Sequence, residues 1–167
     1  PWLVKLHTKR SSQTLGGERW GEHLVQSLVG GPSLQLLDQR FKATEPPRLL
    51  APAGSLLPTT VCLARNQHHL RALLLRTGLD GQWFLQQQFV AGSMWAVHSR
   101  GLCSLPGLSL QLSAFEPEIG QIEGTLAHAL ERLIPVLLQS LGTAVETLPG
   151  VSTACPSFGH PWANPQH

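Results

Sequence analysis

Histidine and cysteine side chains are the residues of this sequence best suited to holding a metal ion. The chain contains eight histidines and three cysteines, and Cys62 shortly precedes the pair His68-His69. Zinc sites use short paired spacings such as Cys-x-x-Cys or His-Glu-x-x-His, because consecutive ligands must reach one ion. None of the histidines and cysteines falls at such a spacing. The sequence therefore predicts no metal site and no cofactor.

Residue types that perform hydrolysis or phosphate transfer are present without the motifs that make them work. No serine lies in a Gly-x-Ser-x-Gly elbow, and neither glycine pair, 16–17 or 30–31, belongs to a phosphate-binding loop. Cys103 and His98 are near enough in sequence to form a thiolate–imidazole pair, but nothing in the sequence marks this thiol as low in pKa. The residues favour a non-enzymatic protein without deciding the question.

Basic side chains bind nucleic acid when they are gathered on one surface. Arg65, Arg71 and Arg76 are isolated charges, and the formal net charge of the chain is only +2. Because so small an imbalance builds no strong field, the sequence predicts that nucleic acid is not a partner.

A proline at position 1 offers a different chemistry. The α-amino group of a chain has a pKa near 8, so a share of it is neutral at pH 7 and able to accept a proton. Residues 1–8, followed by Arg10, Ser11 and an amphipathic helix, resemble the opening β–α unit of the tautomerase superfamily. The resemblance covers about 30 residues and implies that Pro1 acts as a catalytic base.

The C-terminal part of the chain carries a second resemblance. The alternating residues 108–112 lead to a helix that ends with Leu-Leu-Gln-Ser-Leu-Gly at 137–142. This order is similar to the closing strand–helix unit of flagellar hook-length and type III secretion needle-length control proteins. The resemblance implies an export protein that contacts the export gate, although the Pro-Glu-x-Leu-Gly lead-in strand of that family is missing here.

The composition indicates a globular protein. Hydrophobic residues make up 42% and charged residues only 13% of the chain, against about 25% charged in an average protein. No apolar run reaches the roughly 18 residues of a membrane helix, and the first residues do not have the pattern of a signal peptide. Three cysteines leave at least one thiol unpaired, which suits a reducing compartment. The sequence predicts a cytoplasmic protein that does not bind membranes.

A strand and a helix open the predicted fold. Apolar residues alternate through residues 1–8, which is the period of a β-strand. They then recur every fourth residue at Trp20, Leu24 and Leu28, which predicts an amphipathic helix. The Gly30-Gly31-Pro32 sequence ends that helix.

The central residues predict an antiparallel meander. Short extended segments are expected at 59–65, 70–77, 82–90, 94–99 and 108–115. Asp80-Gly81 between two of them is typical of a hairpin turn. Leu34, Leu36 and Leu37 suit a further strand, while the five prolines and glycines after residue 44 predict a connection.

A long helix is predicted after Glu116-Pro117-Glu118, because apolar residues follow at spacings of three and four from Ile119 to Leu137. Pro135 lies inside this pattern, and burial of the leucines should outweigh the lost backbone bond. We therefore expect a helix that bends at residues 130–135, continues past them and stops at Gly142. Residues 149–167 read as a Pro/Gly-rich tail.

These elements predict an α+β fold of one domain, residues 1–148. An N-terminal β–α unit and a long C-terminal helix would pack on an antiparallel meander of about four to five strands.

The favoured function is a protein-interaction module or adaptor subunit, with another protein as partner in a homo- or hetero-oligomer. The few charges and the surplus of apolar residues suggest an exposed apolar surface. Aromatic residues concentrate at binding hot spots. The candidate partner-binding residues are therefore Trp83, Phe84, Phe89 and Trp95 on the two hairpin strands.

The alternative function is a carrier of a small apolar ligand. A curved sheet under a long helix can enclose a cavity, and a dry space of about 300 Å³ or more would suit a ligand. The lining residues would be Leu110, Leu112, Leu126, Leu130 and Leu133.

Overall fold

The structure is a computed structural model that describes residues 1–7, 17–42, 47–103, 107–121 and 123–148. Its helices are α1 (Gly17–Val29), α2 (Gly31–Lys42), α3 (Leu63–Thr77), α4 (Gly81–Leu85), α5 (Ser99–Cys103) and α6 (Leu126–Ser140). Its strands are β1 (Trp2–Lys5), β2 (Arg48–Ala51), β3 (Leu56–Pro58), β4 (Gln88–Val90), β5 (Trp95–His98) and β6 (Ala144–Thr147). A short 3-10 helix covers Leu112–Ala114. The fold mixes helices and strands, as predicted for an α+β protein.

Four strands form a mixed sheet in the order β1-β5-β2-β6, and β3 pairs with β4 in a separate ribbon. β5 is antiparallel to both β1 and β2, whereas β6 is parallel to β2. β1 and β6 are therefore the two edge strands of the main sheet in the described part of the chain. The predicted meander of sequential antiparallel neighbours is wrong, because the strands that pair here are distant in sequence.

The main sheet is packed on both faces. On one face, Leu50 and Ala96 join a core cluster with residues of α1 and α2. On the other face, Leu49 and Val97 lie in a cluster that includes Leu138 of α6. A third cluster fills the space between α3, α4 and α6. α6 thus contributes to two cores and ties the sheet to the α3 region.

The predicted first helix is confirmed. Leu24 and Leu28 of α1 are fully buried, which explains the fourfold spacing of the apolar residues. Gly30 ends α1, but α2 starts at the next residue with Pro32 in its first turn, a position that suits proline. The strand expected around Leu34–Leu37 is therefore part of a helix.

The predicted central strands at 59–65 and 70–77 are wrong. α3 occupies 63–77, where Asn66, Leu70 and Leu73 are buried at spacings of four and three, so the period is helical. The segment also contains no β-branched residue before Thr77, which removes the usual preference for a strand.

The predicted hairpin at Asp80-Gly81 is also wrong. Asp80 is the N-cap of α4, and its carboxylate accepts a hydrogen bond of 2.6 Å from the backbone N–H of Trp83. Aspartate serves helix N-caps as readily as turns. β4 and β5 do lie within the predicted segments 82–90 and 94–99.

Residues 108–115 alternate in sequence but form no strand. Leu108 and Leu110 pack against the α3–α6 core, whereas Leu112 is 89% exposed. Ser109 has a positive φ of 48°, which breaks an extended backbone. The strand on which the resemblance to the export length-control proteins depends is therefore not formed by residues 108–115.

The predicted C-terminal helix starts later than expected and ends where expected. Gly120 and Gly124 both have positive φ, so the helix begins after the N-cap Thr125. It continues through Pro135 to Ser140, as predicted. Gly142 N–H donates to the Gln139 carbonyl and Thr143 N–H to the Leu138 carbonyl, both at 3.0 Å. This pair of bonds is the Schellman ending that a glycine permits. The proposed tail at 149–167 lies outside the described residues.

Candidate functional site

The edge strand β1 exposes apolar side chains on both of its faces. Trp2 and Val4 lie on the α1–α2 side of the sheet, as their pairing with His98 and Ala96 requires, and Leu3 lies on the opposite side. Leu3 is 43% exposed, Val4 36% and Leu6 42%. The outer edge of β1 pairs with no other strand in the described part of the chain. β1 therefore presents both backbone hydrogen-bonding groups and apolar surface.

Two polar side chains at the end of β1 turn inward instead. Lys5 Nζ donates to the carbonyl and to the hydroxyl oxygen of Ser93 at 2.6 and 2.7 Å, and His7 Nε2 donates to the Gly92 carbonyl at 2.7 Å. From α6, the Glu131 carboxylate accepts from the Gly92 N–H at 2.7 Å. We call Lys5, His7, Glu131 and the Gly92–Ser93 backbone that they bind the turn clamp. It fixes the C-terminal end of β1 to the turn between β4 and β5.

The turn held by this clamp has an unusual backbone. Gly92 has φ of 86° and Ser93 has φ of 56°, a left-handed pair that only glycine adopts without strain. A Cβ atom on Gly92 would lie 2.5 Å from Leu24 Cδ1 of α1. The turn therefore sits tightly between α1, β1 and α6, and the three clamp side chains satisfy its polar groups.

Burial and charge act in opposite directions on Lys5. Partial burial lowers the pKa of Lys5 from its ordinary value, and the nearby Glu131 carboxylate offsets part of this effect. The ammonium group also lies 5.9 Å from the ring centre of Trp95, within cation–π range. The positive charge of Lys5 is thus directed towards groups inside the domain.

The opposite edge strand, β6, ends in the polar residues Glu146 and Thr147 after Ala144 and Val145. Glu146 forms an ion pair with Arg48 of β2, and Thr147 is exposed. Arg48 and Glu146 are only 17% and 34% exposed at their side chains, so the pair lies against the sheet. A charged edge of this kind discourages pairing with further strands.

A buried ion pair that the sequence did not reveal holds the segment before α6. Arg132 NH2 lies 2.8 Å from Glu123 Oε1, and these side chains are 2% and 5% exposed. Glu123 Oε2 accepts from Asn66 Nδ2 at 2.6 Å, and Asn66 Oδ1 accepts from Gly124 N–H at 3.0 Å. Arg132 also donates to the Val61 carbonyl. Every partner in this network is another part of the domain, which is the expected role of a fully bonded interior charge.

The four aromatic residues predicted to bind a partner do not form an exposed surface. Phe84, Phe89 and Trp95 are 1%, 2% and 6% exposed, and Trp83 packs against the core between α3 and α6. Trp83 and Phe84 lie on α4 rather than on a hairpin strand. The apolar pattern that suggested a binding surface belongs to the interior.

The leucines proposed to line a carrier cavity are separated in the structure. Leu126, Leu130 and Leu133 are buried and pack directly against Leu70, Leu73 and Phe84. Leu110 is half-buried at the margin of this core, and Leu112 points to solvent. At these residues α6 therefore meets α3 and α4 in a packed interface.

The structure describes the predicted thiolate–imidazole pair, His98 and Cys103, and the predicted base Pro1. His98 Nδ1 accepts a hydrogen bond from the Arg100 backbone N–H at 3.1 Å, and Cys103 is an exposed free thiol. Burial raises the pKa of the Cys62 thiol, which opposes thiolate chemistry. The Pro1 carbonyl accepts from Ser99 N–H at 2.9 Å. In the described residues, no three His, Cys, Asp or Glu side chains gather as a metal site would require.

Within the described ranges, no helix is long and apolar enough to cross a membrane. No known protein family matches the sequence, and no solved structure matches it. Two curated proteins are similar, each called "Uncharacterized protein WxcX", from two strains of Xanthomonas campestris pathovar campestris. Each is 34% identical over 146 residues, which is 87% of this chain and 21% of the relative. The chain thus spans about a fifth of the length of the curated relatives it matches.

Proposed function

We propose that this chain is a protein-interaction module that docks, through β1, on another segment of a longer polypeptide. The observation that carries the proposal is the exposed apolar edge at Leu3, Val4 and Leu6. The match to about a fifth of two longer relatives supports the choice of partner, because a module inside a long chain has neighbours to pack against.

Strand addition is the form of docking that fits β1. An extended segment placed beside an edge strand gains backbone hydrogen bonds, and alternate side chains supply specificity. Val4 and Leu6 would contact such a segment on one face and Leu3 on the other. Burial of these three side chains would add an apolar contribution to the backbone pairing.

The turn clamp prepares β1 for this role. Lys5 and His7 bind the Gly92–Ser93 turn, and β1 pairs with β5 over four residues. A strand that is already held straight loses little conformational freedom when a partner binds. Lys5, His7 and Glu131 form hydrogen bonds with backbone atoms. We therefore assign these three side chains a positioning role.

The proposal places the module in the cytoplasm. Cys62 and Cys103 are both unpaired in the structure, and free thiols persist in a reducing compartment. A test is the redox state of both cysteines in protein isolated under thiol-trapping conditions, since a disulfide on either would contradict this placement.

Paired substitutions test the docking directly. In the longer polypeptide, Leu3→Lys combined with Leu6→Lys should release the domain from its neighbour, seen as faster limited proteolysis and a larger radius of gyration. The control is Leu75→Lys on α3, where Leu75 is 80% exposed. Release by the control alone, or no release by either variant, would refute the proposal. Concentration-dependent dimers of the isolated 167-residue chain that the β1 variants abolish would show a second copy to be the partner instead.

A further inference from the structure

The turn clamp contains a serine and a lysine in direct contact. Lys5 Nζ lies 2.7 Å from Ser93 Oγ and 2.6 Å from the Ser93 carbonyl oxygen. A serine hydroxyl becomes a good nucleophile when a base within hydrogen-bond reach takes its proton, and a neutral lysine is one such base. The amine of a neutral Lys5 could donate to the Ser93 carbonyl while its lone pair accepts the proton of Oγ. Both residues are half-buried, so the pair is only partly shielded from molecules in solution.

The backbone of Ser93 is held in an unfavourable conformation. Its φ of 56° is left-handed, and strain of this kind in a residue other than glycine is concentrated at functional sites. The turn cannot relax easily, because Ser93 N–H donates to the Val90 carbonyl at 3.2 Å and Gly92 is packed against Leu24. Serine nucleophiles of α/β-hydrolases also occupy a strained turn, which holds the hydroxyl away from the backbone.

The position of the pair in the sheet is one that suits a substrate. β1, β2 and β6 run in the same direction, since β5 is antiparallel to β1 and β2 and β6 is parallel to β2. The Gly92–Ser93 turn comes just before β5 and therefore lies at their carboxyl ends, next to Lys5, the last residue of β1. The helices that follow β1 pack on one face, and α6, which precedes β6, packs on the other. In open sheets of this kind, ligands bind at the carboxyl ends of the strands where the connections change face.

The surroundings of Lys5 favour its neutral form. Burial lowers the pKa of Lys5, and Glu131 offsets only part of this effect. The other titratable groups at the turn are the Glu131 carboxylate from α6 and the His7 imidazole from β1, which bind the N–H and the carbonyl of Gly92. At a given pH, a larger share of Lys5 is therefore neutral than of an exposed lysine.

We propose that Ser93 is a nucleophile that Lys5 activates for acyl transfer from carboxylic esters. Ser93 Oγ forms a bond to the ester carbonyl carbon while Lys5 Nζ takes the hydroxyl proton. The bond from this carbon to the alcohol oxygen then breaks, and the leaving alcohol takes the proton from Lys5. A water molecule, deprotonated by Lys5, attacks the acyl-serine and releases the carboxylic acid. Lys5 thus acts as a base besides positioning β1, and this step does not depend on the docking of the outer edge of β1.

The first test is a reaction of the wild-type 167-residue chain with p-nitrophenyl acetate. We expect an initial burst of p-nitrophenolate and an acetyl group on Ser93, located by peptide mass spectrometry after an acid quench. The burst rate should rise with pH to a plateau, with a midpoint below the ordinary lysine pKa of 10.5. An acetyl group on Lys5 instead of Ser93, or no acetyl group on either residue, would overturn the proposal.

The second test uses variants that keep the turn intact. Ser93→Gly removes the hydroxyl and suits the positive φ, so the chain should fold and show no burst, whereas Ser113→Ala, at an exposed position, should react as the wild type does. Lys5→Arg keeps a positive donor but holds its proton at all relevant pH values, and it should slow the burst by about 100-fold or more. Circular dichroism checks that each variant is folded, and the Ser93→Gly result decides alone if Lys5→Arg is not. An undiminished burst in either folded variant would overturn the proposal.

Discussion

The two edge strands of the main sheet, β1 and β6, differ in the side chains that they carry. β6 ends the sheet with the Arg48–Glu146 ion pair and the exposed Thr147. β1 ends it with Leu3 and Val4, followed by Leu6, all at least 36% exposed. An open strand edge invites pairing with other chains, and charged side chains are a common protection. On β6 the charged residue is Glu146, which is paired with Arg48, whereas β1 exposes mainly apolar side chains.

Lys5 is the apparent exception, since lysine on an edge strand usually repels a partner. Its ammonium group, however, is directed to Ser93 inside the domain. The ammonium group therefore attaches β1 to the turn through hydrogen bonds and does not guard its outer edge. The charged side chains of both edges are thus bonded within the domain, Lys5 to Ser93 and Glu146 to Arg48, so the edges differ in the large apolar side chains that Leu3, Val4 and Leu6 expose.

The largest change in the free energy of unfolding is expected at the buried ion pair, and the smaller changes expected at the sheet edges are compared with it. Arg132→Met leaves Glu123 buried without its ion-pair partner, so the free energy of unfolding should fall by about 3–5 kcal/mol. Chemical denaturation followed by circular dichroism measures this loss. The double variant Arg132→Met with Glu123→Leu should recover part of it, because no uncompensated charge remains. A double variant less stable than the single one would contradict this account of the network.

A substitution in the turn under β1 should have the next largest effect. Gly92→Ala adds a Cβ that lies 2.5 Å from Leu24 Cδ1 at a φ of 86°, so we expect a loss of about 3 kcal/mol from strain and displaced packing. Gly54→Ala is the matched control, because Gly54 has φ of 73° with open space around it. The control should lose only about 1 kcal/mol. Equal losses in the two variants would show that the turn is not packed as described.

Removal of the Lys5 ammonium group tests the turn clamp itself. Lys5→Met should lower the free energy of unfolding at pH 7 by about 1–2 kcal/mol, because the Ser93 carbonyl loses a charged donor at a partly exposed site. Arg71→Met, at an exposed position on α3, is the control for loss of one positive charge. If both variants lose the same stability, the clamp contributes nothing specific.

The wild-type chain should also show the pH dependence of Lys5. Burial lowers the pKa of Lys5 in the folded state, so the unfolded chain binds more protons at pH values between this lowered pKa and the ordinary lysine pKa of 10.5. Stability from this group therefore rises with pH across that interval and is constant below it. The rise should be absent in Lys5→Met, and its persistence in that variant would assign it to another group.

The smallest change in stability is expected when β6 is made to resemble β1. Glu146→Val removes the pair with Arg48 from a partly exposed site and should cost less than about 1 kcal/mol. The same variant should, however, self-associate in sedimentation velocity, since it replaces a charge by an apolar side chain on an edge. Glu118→Val, in an exposed loop, removes the same charge away from the sheet and should stay monomeric. Association of both variants alike would show that net charge, and not the edge, controls it.

The sequence predicted the parts of the fold that local patterns determine. Alternation located β1, the fourfold spacing of Leu24 and Leu28 located α1, and Gly142 marked the end of α6 despite Pro135. It misassigned α3, because a leucine-rich run has no clear alternation and its buried Asn66 was not recognised as part of a helical face. Asp80 suits a hairpin and a helix N-cap equally well, so only tertiary packing decides between them.

The candidate sites were less predictable than the elements. Aromatic residues are common at binding surfaces, yet Phe84 and Phe89 fill the core. Composition alone cannot distinguish these two roles. The turn clamp joins residues 5, 7, 92, 93 and 131, and the buried pair joins Glu123 to Arg132 and Asn66. Contacts between segments so distant in sequence follow from sheet topology, and no local spacing of residues predicts them.

Hydrogen exchange of the β1 amides tests the central claim most directly. In the isolated 167-residue chain, the amides of residues 3–6 that face away from β5 should exchange rapidly, because no described strand covers them. In a longer polypeptide that carries the proposed partner segment, the same amides should be protected, while the protection of β5 stays unchanged. Equal, rapid exchange in both forms would contradict the account, since it would show that β1 is an uncovered edge and not a docking strand.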